Sequence, residues 1–170
     1  MKKIVITGAL GYIGTELCKL YSGFSWKYEV VAIDNRFISE RVNELKRRKI
    51  KFVQADILNL NEIKTFIKEA EIVHHLAGIT DVAYVKKDSN PDQDEKIKKV
   101  AVEGTENILK SMNENATIVF PSTHVVFEGL KTPKKDRKWK SYSHPSRIKV
   151  SPAQNNGNLV HTLLFGTKRD

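Results

Sequence analysis

The residues best placed to do chemistry are three glycines. Thr7-Gly8-Ala9-Leu10-Gly11-Tyr12-Ile13-Gly14 follows a short apolar run, Ile4-Val5-Ile6, and leads into residues with helical spacing. A buried strand, a glycine turn and a helix start in that order let backbone N–H groups approach a pyrophosphate, because glycine has no Cβ to block it. The helix N-terminus adds partial positive charge at the same place. An acid completes the pattern. Asp34 ends the next apolar run, twenty residues beyond Gly14, where a carboxylate that accepts the ribose hydroxyls of a dinucleotide is expected. Asp34 also fits a plain solvated turn carboxylate. A carboxylate here repels a 2′-phosphate, which favours NAD over NADP, although Arg36 nearby softens that repulsion.

These residues need elements to hold them. The pattern predicts a first helix over 15–22, opened by Tyr12 and Ile13 and broken by Gly23, with Leu17, Cys18 and Leu20 toward a sheet. A second strand follows over 29–33, a basic helix over 39–49 and a third strand over 50–55. Arg47-Arg48-Lys49 reads as a solvated face. A helix over 61–70, capped by Asn61, carries Ile63, Phe66 and Ile67 on one side. A fourth strand spans 71–77, residues 80–90 are polar and loop-like, a long helix runs from Asn90-Pro91 to about Asn113, and a fifth strand covers 116–120. In the long helix Val100, Ile108 and Leu109 face the core, and Ala101 and Gly104 allow close packing. Strands alternating with helices give an α/β fold: a Rossmann doubly wound parallel sheet of order 3-2-1-4-5, with ligand across its carboxyl ends.

The string TGALGYIG, with glycine spacing G-x-x-G-x-x-G, resembles the cofactor loop of the extended short-chain dehydrogenase/reductases, the NAD-dependent epimerases and dehydratases of nucleotide sugars. Further segments resemble that family: His75-Leu76-Ala77-Gly78, the helix string Val102 to Leu109, and Thr123-His124-Val125-Val126-Phe127-Glu128-Gly129. The resemblance implies that Thr7, Gly8, Gly11, Tyr12, Ile13 and Gly14 hold the pyrophosphate and that Asp34 with Asn35 holds the adenosine ribose. It places Asp56 and Ile57 at the adenine, and Leu76, Ala77 and Gly78 along the central cofactor path. Asp56 also fits a cap near Asn59, and Ala77 and Gly78 also fit simple packing. Thr123 takes the Ser/Thr position that hydrogen-bonds the sugar. Departures are Ala101 where the family has Asn, Phe127 where it has Tyr, and Glu128 inserted before Gly129.

The family's acid–base pair, Tyr-x-x-x-Lys, is missing. Tyr142 lies nineteen residues after Thr123, but Ser146 stands four residues on, and no tyrosine follows Tyr142. The resemblance covers about residues 1–136, the NAD-binding domain. Residues 137–170 form a second part, expected to be a basic, irregular tail in which only 159–165 suggests a short strand or helix. This tail holds seven Lys/Arg against one acid, +6 of the chain's net +9. On this expectation a C-terminal substrate lobe has no room. A frameshifted or truncated end and a genuine basic appendage are both compatible with the break. A non-catalytic NAD sensor that contacts a partner through this tail is the competing function.

The 170 residues suit one domain with a real core. No apolar run reaches the roughly 20 residues of a membrane span. Met1–Lys3 leads straight into a strand, which predicts no signal peptide, and the lone Cys18 cannot form an internal disulfide, which fits a reducing cytoplasm. His74 and His75, adjacent on a strand, point to opposite faces, so no metal site is expected. The basic surplus sits in the tail and does not suggest a nucleic-acid site. A sheet ending at a fifth strand leaves an edge and an apolar face, which predicts marginal stability or self-association.

Overall fold

The computed structural model describes residues 1–79, 91–121, 142–143, 149–155 and 158–164. Five strands, β1 (Lys2–Thr7), β2 (Tyr28–Asp34), β3 (Lys51–Gln54), β4 (Ile72–His75) and β5 (Thr117–Val119), pair in parallel in the order β3-β2-β1-β4-β5. The expected order holds. β1 is central, with Thr7 opposite Ile33 on one side and His75 on the other. Three carboxyl ends therefore meet beside the glycine loop.

Helices cover both faces because β1 is apolar on both. Val5 packs with Val31, Ile63, Ile67 and Ile108, on the side of α3 (Leu60–Lys68) and α5 (Thr105–Ser111). Ile4 and Ile6 pack with Cys18, Val42 and Leu45, on the side of α1 (Tyr12–Ser22) and α2 (Ser39–Arg47). Ile4, Val5 and Ile6 are fully buried, and each such side chain contributes roughly 1.5–3 kcal/mol through removal from water. The continuous apolar run, instead of an alternating one, is the signature of a parallel strand covered twice.

Several boundaries differ from expectation. α2 ends at Arg47, two residues early, because Lys49 takes a left-handed conformation (φ 58°) and Ile50 N–H returns to the Leu45 carbonyl. α3 begins at Leu60 with Asn59 at the N-cap, so Asn61 is inside the helix and caps nothing. Leu20 is exposed instead of facing the sheet. The long helix is α4 (Pro91–Lys99), a π-helical turn (Val100–Gly104) and α5, and it stops at Ser111. Ala101 is exposed, whereas Gly104 is buried. The tail is not irregular throughout. β6 (Tyr142–Ser143), β7 (Lys149–Asn155) and β8 (Asn158–Leu164) form an antiparallel sheet of order β6-β7-β8, and β8 overlaps the 159–165 stretch.

Candidate dinucleotide site

The glycine loop joins β1 to α1. Gly8 has φ +67°, and a Cβ there would lie 2.7 Å from the Leu76 and Ala77 backbone. Gly14 is tighter: its Cβ would lie 2.4 Å from the Gly8 carbonyl oxygen. Gly11 N–H donates to that same oxygen at 2.9 Å. The loop thus folds on itself against the end of β4 and leaves no space for a Cβ at Gly8 or Gly14. The first turn of α1 has no side-chain cap and no acid. Tyr12 and Ile13 stand 83% and 56% exposed there, so their backbone amides head the helix at an open surface. A tight loop, uncapped amides and a helix dipole suit a pyrophosphate.

Asp34 is buried at the end of β2 and connects the loop to the sheet. Its Oδ2 accepts from Leu10 N–H at 3.0 Å, and Ala9 N–H donates to the Ile33 carbonyl at 3.1 Å. The carboxylate also receives Arg36. The backbone N–H and Nε of Arg36 reach Oδ1 at 3.0 Å each, and Nη2 reaches Oδ2 at 3.2 Å. These bonds to Asp34 hold the guanidinium pKa above its ordinary value, against a smaller opposing effect of burial. Asn35 Nδ2 donates to Asp56 Oδ2 at 3.3 Å, which brings the ribose and adenine candidates side by side.

Asp56 also makes the local turn. Its Oδ1 accepts from Leu58 N–H at 2.9 Å, while Glu62, in the first turn of α3, accepts from the Asp56 N–H at 2.9 Å. Ile57 is buried, with its side chain against Gly104, where a Cβ would lie 2.4 Å from Cδ1. Asn107 Nδ2 donates to the carbonyls of Ile57 and Leu58 at 3.0 and 3.1 Å. Gly104 and Asn107 therefore set this loop. The helix string contained them, but only their contacts reveal what they hold.

Thr7 is fully buried, and its hydroxyl faces inward. It bonds His75 Nδ1 at 2.8 Å and accepts from Ala77 N–H at 3.3 Å. His75 Nε2 meets Thr105 Oγ1 at 3.0 Å, and Thr105 donates onward to the Ala101 carbonyl at 2.6 Å. The shortest contact, to a carbonyl that can only accept, sets the directions. Thr105 has its proton on Ala101, so it accepts from Nε2–H. Nδ1 is then bare and accepts from Thr7. A neutral imidazole satisfies the whole chain, and burial pushes the His75 pKa down to about 4. His74, on the opposite face as expected, meets Tyr21 Oη at 2.8 Å, and burial lowers its pKa too.

Beyond β4 the path opens. Leu76 and Ala77 are half-buried, Gly78 is exposed, and a Cβ on Gly78 would meet no described atom within 4 Å. Thr123, with His124, Phe127 and Glu128, lies outside the described residues. Among the described residues no cluster of His, Cys, Asp or Glu could hold a metal, and no helix is long and apolar enough to cross a membrane.

A parallel 3-2-1-4-5 sheet with a glycine loop after β1 and an acid at the end of β2 is a Rossmann fold, and the sequence matches place it in the extended short-chain dehydrogenase/reductase class. The sequence pattern of one family in that class, the 3-beta hydroxysteroid dehydrogenase/isomerase family, matches residues 5–146. The chain belongs to that family. The match runs past position 136, where the motif resemblance had been expected to stop.

Two curated relatives are epimerases. The UDP-glucose 4-epimerase of Bacillus subtilis is 36% identical over 85 residues, covering 45% of this chain and 24% of that protein. The CDP-paratose 2-epimerase of Salmonella typhi is 29% identical over 137 residues, covering 75% of this chain and 38% of that protein. The chain thus spans well under half the length of these relatives. A crystal structure of UDP-glucose-4-epimerase from Stenotrophomonas maltophila, with bound NAD and formylated UDP-arabinopyranose, superimposes with a TM-score of 0.61 at 20% identity. That superposition covers 79% of this chain and 42% of the other.

Proposed function

We propose that this chain is the NAD-binding domain of a nucleotide-sugar epimerase/dehydratase-type protein, and that its 170 residues as written bind the dinucleotide without turning over a sugar. The observation that carries this is the joint between the glycine loop and the acid. One bond, Leu10 N–H to Asp34, fixes the anion-binding helix end and the ribose carboxylate relative to each other. NAD, when bound, supplies the hydride chemistry. The protein's part is to bind and orient. The backbone of Gly8, Gly11, Tyr12, Ile13 and Gly14 receives the pyrophosphate. Thr7 acts from beneath by holding Ala77. Asp34 and Asn35 receive the adenosine ribose, Asp56 and Ile57 border the adenine, and Leu76, Ala77 and Gly78 line the central path. Thr123 is assigned to the sugar.

The NAD-bound epimerase of the same fold and the epimerase relatives support the cofactor and the substrate class. The absence of Tyr-x-x-x-Lys after Thr123 supports binding without turnover, since general acid–base help is worth about 10²–10⁴-fold in rate. The +6 charge of residues 137–170 favours a second reading, an NAD sensor that meets an acidic partner through this segment. Titration calorimetry with NAD tests the main proposal. Saturable binding that Asp34→Ala weakens at least about tenfold is expected, the loss of charged hydrogen bonds to two hydroxyls. A folded sample that binds no NAD refutes it.

A further inference from the structure

The carboxylate of Asp34 is already full. Each oxygen accepts two hydrogen bonds: Oδ1 from the N–H and Nε of Arg36, Oδ2 from Leu10 N–H and Arg36 Nη2. A carboxylate has about four lone-pair sites. Two of the four donors are backbone amides that fix the carboxylate in place. The other two belong to the guanidinium fork, whose side chain is 55% exposed while that of Asp34 is 3% exposed. The fork therefore covers the solvent side of the carboxylate, the side from which a ligand must come. Two parallel N–H donors on two carboxylate oxygens reproduce what a vicinal diol would offer.

We propose that Arg36 is an internal stand-in for the ribose hydroxyls, which NAD must displace from Asp34, and that the displaced guanidinium then lies beside the ribose 2′ position and admits NADP. This rests on the dinucleotide reading above and adds to it a specificity-determining residue. Displacement is easy for two reasons. The guanidinium side chain is 55% exposed, so water solvates the fork as it leaves the buried carboxylate. Arg36 also keeps its backbone bond to Oδ1, so only its side chain swings away. Once free, the guanidinium is a forked cation suited to a phosphate. The loop thereby offsets part of the repulsion that Asp34 exerts on a 2′-phosphate.

The test is calorimetric titration of the full chain and its variants with NAD and with NADP. Arg36→Leu removes both the competitor and the cation: NAD should bind about threefold to fivefold tighter, because no guanidinium competes for the carboxylate, and NADP at least about tenfold weaker. Arg36→Lys keeps the charge without the fork: NAD should tighten similarly, while NADP stays within about threefold of the wild type. If Arg36→Leu weakens NAD, or leaves the ratio of the two affinities unchanged, the stand-in is refuted while the dinucleotide site remains. If the folded wild type binds neither NAD nor NADP, the dinucleotide reading itself fails and takes the inference with it.

Discussion

Acid should destabilise this domain above the pH at which carboxylates titrate, and His75 should be the main cause. The imidazole is 1% exposed and sits in a chain from Ala77 N–H to the Ala101 carbonyl that a neutral ring completes with every donor paired. Its folded pKa is about 4, against 6.5 for the free side chain. The sign follows from which state binds the proton. As pH falls below 6.5 the unfolded chain takes up a proton that the folded chain refuses, so stability is full above 6.5 and is lost toward 4. Linkage over that interval gives about 2 kcal/mol lost between pH 7 and pH 5. His74 shifts the same way and adds to the loss. Glu44 and Glu69, whose pKa values are lowered by hydrogen bonds to arginine and lysine, titrate lower and contribute little at pH 5. Urea unfolding at both pH values measures the difference. His75→Gln should be less stable at pH 7 by about 1–3 kcal/mol, because it strands a buried hydroxyl, yet should lose much less stability on going to pH 5. Equal wild-type stability at the two pH values, or the same loss in wild type and variant, would refute the argument.

Three further outcomes are expected. Gly8→Ala should cost at least about 2 kcal/mol in urea melts, since the left-handed backbone and the 2.7 Å contact with Leu76 and Ala77 both penalise a Cβ. Cys18 should resist a thiol reagent in the native protein and react only on unfolding, because it is fully buried and burial pushes its pKa up to about 12. A coupled assay over UDP-, GDP- and dTDP-sugars should show no family-like turnover. Turnover that disappears in Tyr142→Phe would show that the segment after Thr123 does supply the acid–base group.

The loop and sheet were legible because their signals are local. Thr7 to Gly14 is one contiguous string, and the apolar runs before it and before Asp34 read directly as buried strands. The end of α2 was not legible, because Lys49 occupies a conformation usually marked by glycine. Asn59 and Asn61 offer the same capping chemistry two residues apart, and only the backbone shows which one begins α3. The His75 chain joins residues 68 and 30 positions apart, a separation at which spacing carries no information. From sequence Arg36 is only a nearby charge; that its fork lies on both Asp34 oxygens is a matter of geometry. In the tail, Pro152 argues against a strand. Among the described residues β6 pairs with Lys149 and Val150 alone, so β7 has no partner on that side where the proline lies.

The contact between Gly104 and Ile57 makes two distant positions change together. Any side chain at 104 needs the space that the Ile57 side chain now fills, and Asn107, one turn further along α5, grips the backbone of the same loop. The turn after β3 is thus not a detachable module. Grafted alone onto another scaffold, it would lose the helix that shapes it. A designer who wants this turn must transplant the glycine and the asparagine with it, and drift at either end narrows the substitutions open to the other.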